Sequence, residues 1–296
     1  MKVTTKILLA AGLTVLLAEA AAAERIDRRI DAADDAIVTI QNTAGSVEIR
    51  GWSRDEVEVK GDLGRDVDEL VLERDGKEVR IEVRAPHGNN IRISSDLEIR
   101  VPQGSSVRVT GVSNDIDIAD VRGDLRLSSV SGDVDAEGSE GDIEIETVSG
   151  DVQAEGRGQE GNHRLNTVSG DIDVQNISGD IRMESVSGDL ALLDGTFERV
   201  SLNTTSADIV FHAGLAGNGR LDVETINGDL DINFSDEVSA RFDIETFNGE
   251  IRNCFGPEPV RTSRYTPGSE LKFTEGGGSG RVTIRTLNGD LRLCND

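Results

Sequence analysis

Apolar and polar residues alternate along most of this chain, with the two-residue beat of half-buried β-strands. Ile37-Val38-Thr39-Ile40, Ser46-Val47-Glu48-Ile49 and Val79-Arg80-Ile81-Glu82-Val83 carry the beat early, and Gly141-Asp142-Ile143-Glu144-Ile145-Glu146 carries it later. A second, longer rhythm lies over the first. Val130-Ser131-Gly132-Asp133 returns at 148–151, 168–171 and 186–189, after a forerunner, Val112-Ser113-Asn114-Asp115. Looser copies follow at 205–208, 226–229, 247–250 and 287–290. The third residue of each copy stands at 114, 132, 150, 170, 188, 207, 228, 249 and 289, so the steps are 18, 18, 20, 18, 19, 21, 21 and 40. A fixed period of that size predicts an all-β solenoid, a parallel β-helix with two short strands in each 18–21-residue coil.

Within a coil the inward positions are Val, Ile, Leu or Ala, and the outward ones are Asp, Glu, Arg, Gln or Asn. Successive coils should lie about 4.8 Å apart. Gly at the corner supplies backbone angles that a side chain resists, and the Ser or Asn before it can bond to backbone at the bend or stack as a polar ladder. Thr147, Thr167, Thr225, Thr246 and Thr286 form a further in-register column. Residues 24–94 are strand-like but off the period, and are expected to cap the open end of an array that starts near Asp96. Trp52, the one tryptophan, belongs with that cap or its core.

The step of 40 reads as one coil carrying an insertion at 255–280, because Arg241 to Gly249 align without gaps with Arg281 to Gly289. The insertion holds Arg261, Arg264, Tyr265 and Lys272, which make it a candidate partner-binding loop; a mobile loop or a cover over the coil end is the competing reading. Cys254 and Cys294 each lie five residues beyond a corner glycine. Matched positions on neighbouring coils put their Cα atoms within disulfide range, which predicts Cys254–Cys294.

Composition agrees with a thin, repetitive core: aromatic residues are 3% of the 296. Lys2 and Lys6, the apolar run Ile7–Ala18 and Ala21-Ala22-Ala23 read as a signal peptide over 1–23, cut after Ala23, which places the mature chain in the periplasm or outside the cell. Removing those residues takes away two lysines and one glutamate, so 29 basic and 55 acidic side chains remain, a net charge of −26. That balance argues against a nucleic-acid partner. No later stretch is apolar enough to span a membrane.

The run Asp96-Leu97-Glu98-Ile99-Arg100-Val101-Pro102, the Ser-Gly-Asp corners and the closing Thr286-Leu287-Asn288-Gly289-Asp290-Leu291 together resemble the DUF4097 family of exported, adhesin-like bacterial β-strand-repeat proteins. The resemblance spans about residues 35 to 294. It implies a single-stranded, right-handed parallel β-helix of the cell envelope and carries no catalytic residues with it.

Three functions are weighed. The leading one is a non-enzymatic envelope scaffold or interaction protein, needing no cofactor, with an envelope protein or polysaccharide as partner. A Ca²⁺-stabilised β-roll is the second, with Asp133, Asp151, Asp171 and Asp189 as ligands. Carboxylates about 5 Å apart repel by roughly 0.8 kcal/mol in bulk water, so something must offset the column. Each corner offers one Gly and one Asp rather than the fuller Gly/Asp set of calcium β-rolls, so solvent, splayed side chains and bonds to turn N–H groups are the simpler offset. A polysaccharide-active enzyme is the third. Acidic pairs are too common here to mark a site, and His87, His163 and His212 are dispersed in loop-like or corner contexts. Arg122-Gly123-Asp124 falls on the corner register and is explained by the repeat.

Overall fold

A computed structural model describes residues 24–86, 93–262 and 267–295. Within them the chain is all-β, and its strands run mostly parallel. The first seven strands are β1 (Glu24–Asp31), β2 (Ile37–Trp52), β3 (Glu56–Leu63), β4 (Glu69–Asp75), β5 (Glu78–Arg84), β6 (Ser95–Pro102) and β7 (Ser106–Ala119). The repeats supply β8 (Leu125–Ser128), β9 (Val134–Ser139), β10 (Ile143–Glu146), β11 (Val152–Gly156), β12 (Glu160–Asn166), β13 (Ile172–Gln175), β14 (Ser178–Glu184), β15 (Leu190–Asn203), β16 (Ile209–Asn227) and β17 (Leu230–Phe234). The chain closes with β18 (Ala240–Asn248), β19 (Ile251–Asn253), β20 (Val260–Arg261), β21 (Ser269–Thr274), β22 (Gly280–Asn288) and β23 (Leu291–Asn295).

Two parallel ladders run the length of a solenoid-like sheet. One joins β7, β9, β11, β13, β15, β16 and β17 through their first-strand segments. The other joins β7, β8, β10, β12, β14, β15 and β16. Pairings advance by one period, as in Val134↔Val152↔Ile172 and Ile143↔His163↔Ile181. Alternation therefore stacks like on like, and the inward rows of both ladders form one continuous core.

The corner glycines are fixed by that stacking. Gly170 has φ 150°, and a Cβ built on it would lie 2.1 Å from the carbonyl oxygen of Gly150 one coil away. No side chain fits between rungs there. Asn248 donates to Asn288, and Asn288 to Asn227, each at 2.8 Å, which is the expected asparagine ladder. The buried hydroxyl column is longer than the threonines alone suggest, since Ser129, Ser185 and Thr204 also belong to it.

The stack starts earlier than the corner spacing indicates. β2 is a full coil in register with β7: Val38 pairs with Val107 and Ile49 with Ile118. Its corner, Thr43-Ala44-Gly45-Ser46, has lost the aspartate that marks the others. Ser46 instead bonds to Asp96 through its N–H (3.2 Å) and hydroxyl (3.0 Å). β5 and β6 pair with the outer side of β2, and antiparallel strands β4, β3 and then β1 finish that end. Trp52 lies at this end, with its Nε1–H donating to the Glu56 carbonyl and the guanidinium groups of Arg54 and Arg100 over its ring at 4.9 and 5.7 Å.

The other end corrects the order of the last two coils. The coil of β22 and β23 does not lie outside that of β18 and β19. β22 pairs with β16 on one side and β18 on the other, and β23 lies between β17 and β19. The insertion then folds over the outermost coil: β21 pairs antiparallel to β18, and Phe273 stacks on Phe242 at 4.4 Å. Both ends thus share a plan, in which an inner coil nearest the terminus is covered by an outer coil from further inside the chain.

Candidate functional site

Three rows of side chains on the outside of the stack carry the chemistry. The first is the aspartate column. The backbone N–H of Asp151 donates to Oδ1 of Asp133 (2.9 Å), that of Asp171 to Asp151 (2.9 Å), that of Asp189 to Asp171 (2.8 Å) and that of Asp208 to Asp189 (2.9 Å). The pattern extends from Asp115 to Glu250. Each carboxylate is spent on the N–H of the next rung, which offsets the repulsion along the column. A second ladder of this kind runs from Asp124 through Asp142 to Asn162, and it absorbs the aspartate of Arg122-Gly123-Asp124. Among the described residues, the carboxylates close enough to share an ion are Asp243, Glu245 and Glu270. Lys272 already stands among them, 3.5 Å from Asp243, 3.4 Å from Glu245 and in contact with Glu270. Its hydrogen bond to Glu270 chiefly raises its pKa above the usual lysine value.

The second row is apolar. Val112, Val130, Val148, Val168, Val186, Ile226, Leu287 and Phe247 begin successive corners, and each is 46–52% exposed. Only Thr205 interrupts them. The bridges Ser113↔Ser131↔Ser149↔Ser169↔Ser187↔Ser206↔Asn227 hold the next residues in register, so the apolar side chains form a continuous ridge. Nine rungs, or eight gaps of about 4.8 Å, make it roughly 38 Å long. The aspartate column flanks it on one side; on the other stand Glu146, Glu184, Glu224 and Glu245, with Asn166, Asn203 and Arg285 on the rungs between them. The ridge is a matter of parity. Ile143, Ile145 and Thr147 point inward, so Val148 must point out.

The third row is basic and lies on the second ladder. Arg108, Arg126, Glu144, Arg164 and Arg182 occupy one outward register. Two residues earlier in each strand, Asn162 and Asp180 give way to Arg199, Arg220, Arg281 and Arg241, four arginines in register on neighbouring rungs. Like charges at the rung spacing repel by about 0.9 kcal/mol per pair in water. Unlike the aspartates, these arginines have no backbone partner among the described residues to offset it. Arg126 pairs with Glu144, Arg182 with Glu184 and Arg199 with Asp180. Arg108, Arg164 and Arg220 have no ion-pair partner among the described residues. The rows line a groove of about 690 Å³ with six arginines and five carboxylates, a local balance of +1 on a chain of −25.

His163 lies beneath this groove, in the core row between Ile143 and Ile181, and not in a loop or corner. It is 6% exposed, and its Nε2 lies 3.2 Å from the Ser178 carbonyl oxygen. Burial lowers its pKa. A histidine in place of the aliphatic residue that would mark the strand is what makes its surroundings look loop-like in the sequence.

Cys254 and Cys294 are bonded, with their Cα atoms 4.8 Å apart, and tie β19 to β23. Of the insertion residues, Arg261 is exposed on β20 and Lys272 is engaged on β21. Arg264 and Tyr265 lie outside the described residues, as do His87 and the 1–23 segment. Among the described residues, no helix is long and apolar enough to cross a membrane.

The Toastrack DUF4097 family model matches residues 36–293. No curated protein matches the sequence. Among solved structures, a candidate lipid-binding protein of Parabacteroides distasonis shares 14% identity over 90% of this chain and 96% of its own, with a TM-score of 0.43. A candidate adhesin of the same organism shares 11% identity over 91% and 97%, with a TM-score of 0.41. A candidate adhesin of Bacteroides fragilis shares 10% identity over 91% and 97%, with a TM-score of 0.36.

Proposed function

The chain belongs to the Toastrack DUF4097 family, and from that premise we propose that it is an exported, non-enzymatic scaffold that docks a cell-envelope protein along its apolar ridge. The exposed row from Val112 to Phe247 is the observation that carries this reading. Contiguous apolar surface rimmed by polar groups marks an interaction site. The acids on both flanks select a partner whose apolar strip has basic borders, and they disfavour a second copy of this chain, which would bring like charges together. The reading includes removal of residues 1–23 on export, a cap–solenoid division of the rest, and a right-handed winding, the hand that parallel crossovers almost always take.

The test is a ridge variant, Val148→Asp with Val168→Asp. Both side chains face solvent, so circular dichroism and melting should match the wild type. Immobilised wild-type protein should retain a basic protein from envelope extract, and the variant should lose it. Retention indifferent to the substitutions would sink the reading.

A further inference from the structure

The arginine groove lies on a different row from the ridge and asks for a different ligand. We propose that it binds a linear polysaccharide bearing carboxylates, a chain of uronic-acid type. The argument rests on what alternates along the groove. Arg108, Arg164 and Arg220 present guanidinium groups with no ion-pair partner among the described residues, and all three are exposed. A planar guanidinium holds a carboxylate by two parallel hydrogen bonds, which a lysine ammonium cannot do. Between the arginines stand acceptors that line the same groove: Asp222, and the second oxygens of Asp142 and Glu144, whose first oxygens are held by the Asn162 N–H and by Arg126. Those groups have nothing to offer a phosphate backbone, but they accept hydrogen bonds from sugar hydroxyls. Arginine for the carboxylate and acid for the hydroxyl is the pairing that an acidic sugar needs.

Charge density points the same way. Duplex DNA carries one charge per about 1.7 Å, and a chain of −25 would repel it everywhere outside this strip. A polyuronate carries one charge per ring, and Arg108, Arg164 and Arg220 each stand three rungs, about 14 Å, from the next, so one extended chain can bring carboxylates several rings apart to all three. At physiological salt, repulsion from the acidic face is screened beyond about 8 Å, so a ligand lying in the groove feels mainly its arginines.

The test titrates the mature protein with oligogalacturonate of defined length by calorimetry, with a neutral maltooligosaccharide of equal length and with polyphosphate. The acidic oligosaccharide should bind. Arg164→Gln with Arg220→Gln should weaken it by tenfold or more, and Arg252→Gln, on the other ladder, should leave it unchanged. Melting curves establish that the variants fold. No heat at millimolar oligogalacturonate, equal affinity for the neutral sugar, equal affinity for polyphosphate, or a double variant that binds as well as the wild type would each overturn the proposal. None of these substitutions touches the ridge, so the two readings fail separately.

Discussion

The first repeats and the last repeats solve the same packing problem with different side chains. The innermost row of the first ladder reads Ala136, Ala154, Val174, Leu192, Phe211 from coil to coil. The coil around Ala136 takes 18 residues from corner to corner, 132 to 150, and the coil around Phe211 takes 21, from 207 to 228. All seven phenylalanines of the chain lie between 197 and 273. Phe211 meets Phe234 edge-on at 5.7 Å, and Phe234 meets Phe242 at 6.1 Å. Filling thus swells toward the broad end, although the coil around Ala154 takes 20 residues, from 150 to 170, and the one around Val174 takes 18. A slim coil closes over alanine, whereas a broad one needs an aromatic ring to reach native density.

Removing a ring from the broad end should have the largest effect. Phe211 is fully buried, and Phe211→Ala should cost about 3–5 kcal/mol. Urea unfolding measures it; a loss below about 1 kcal/mol would mean that the broad coils collapse around the gap and that girth does not dictate the filling. Adding bulk to the slim end comes next. Ala136 is fully buried with Ile118 and Ala154 as rung neighbours, and Ala136→Leu should destabilise by about 1–3 kcal/mol through overpacking. A neutral result would make the slim coils loosely filled.

The smallest effect concerns His163, the one titratable side chain in the core rows of the early repeats. Burial lowers its folded pKa below its unfolded value, so the unfolded chain binds more protons. The contribution to stability is fully present above the unfolded pKa, about 6.5, and is lost as pH falls below it, at no more than about 1.4 kcal/mol per pH unit. Comparing wild type with His163→Leu in urea between pH 7.5 and 5 should show the steeper decline in the wild type. Parallel curves would contradict a buried neutral imidazole.

The sequence exposes the repeat but not the ends of the stack, for a physical reason. Register follows from alternation plus corners, and it places Cys254 beside Cys294 without further help. Order is another matter. Arg220–Asn227, Arg241–Asn248 and Arg281–Asn288 share one pattern of inward and outward residues, so each can neighbour either of the others. The choice falls to loop reach and to Phe255 and Phe273 packing on Phe242, which no local window contains. The candidate surfaces divide in the same way. The aspartate column is visible because its residues recur at one motif position. The ridge needed only a parity count from Ile145 to Val148. The arginine rows were hidden, because each strand contributes one or two ordinary-looking arginines and only stacking gathers them.

The threading of β22 and β23 bears on how the molecule is made. Rungs can be laid down in the order of synthesis as far as β17. The next position in space then belongs to a segment that has not yet arrived, while β18 and β19 are already available. Growth by simple accretion stops there. The final strands enter as a wedge between partners laid down before them, and the sulfur bond to Cys254 rivets that wedge once it is seated.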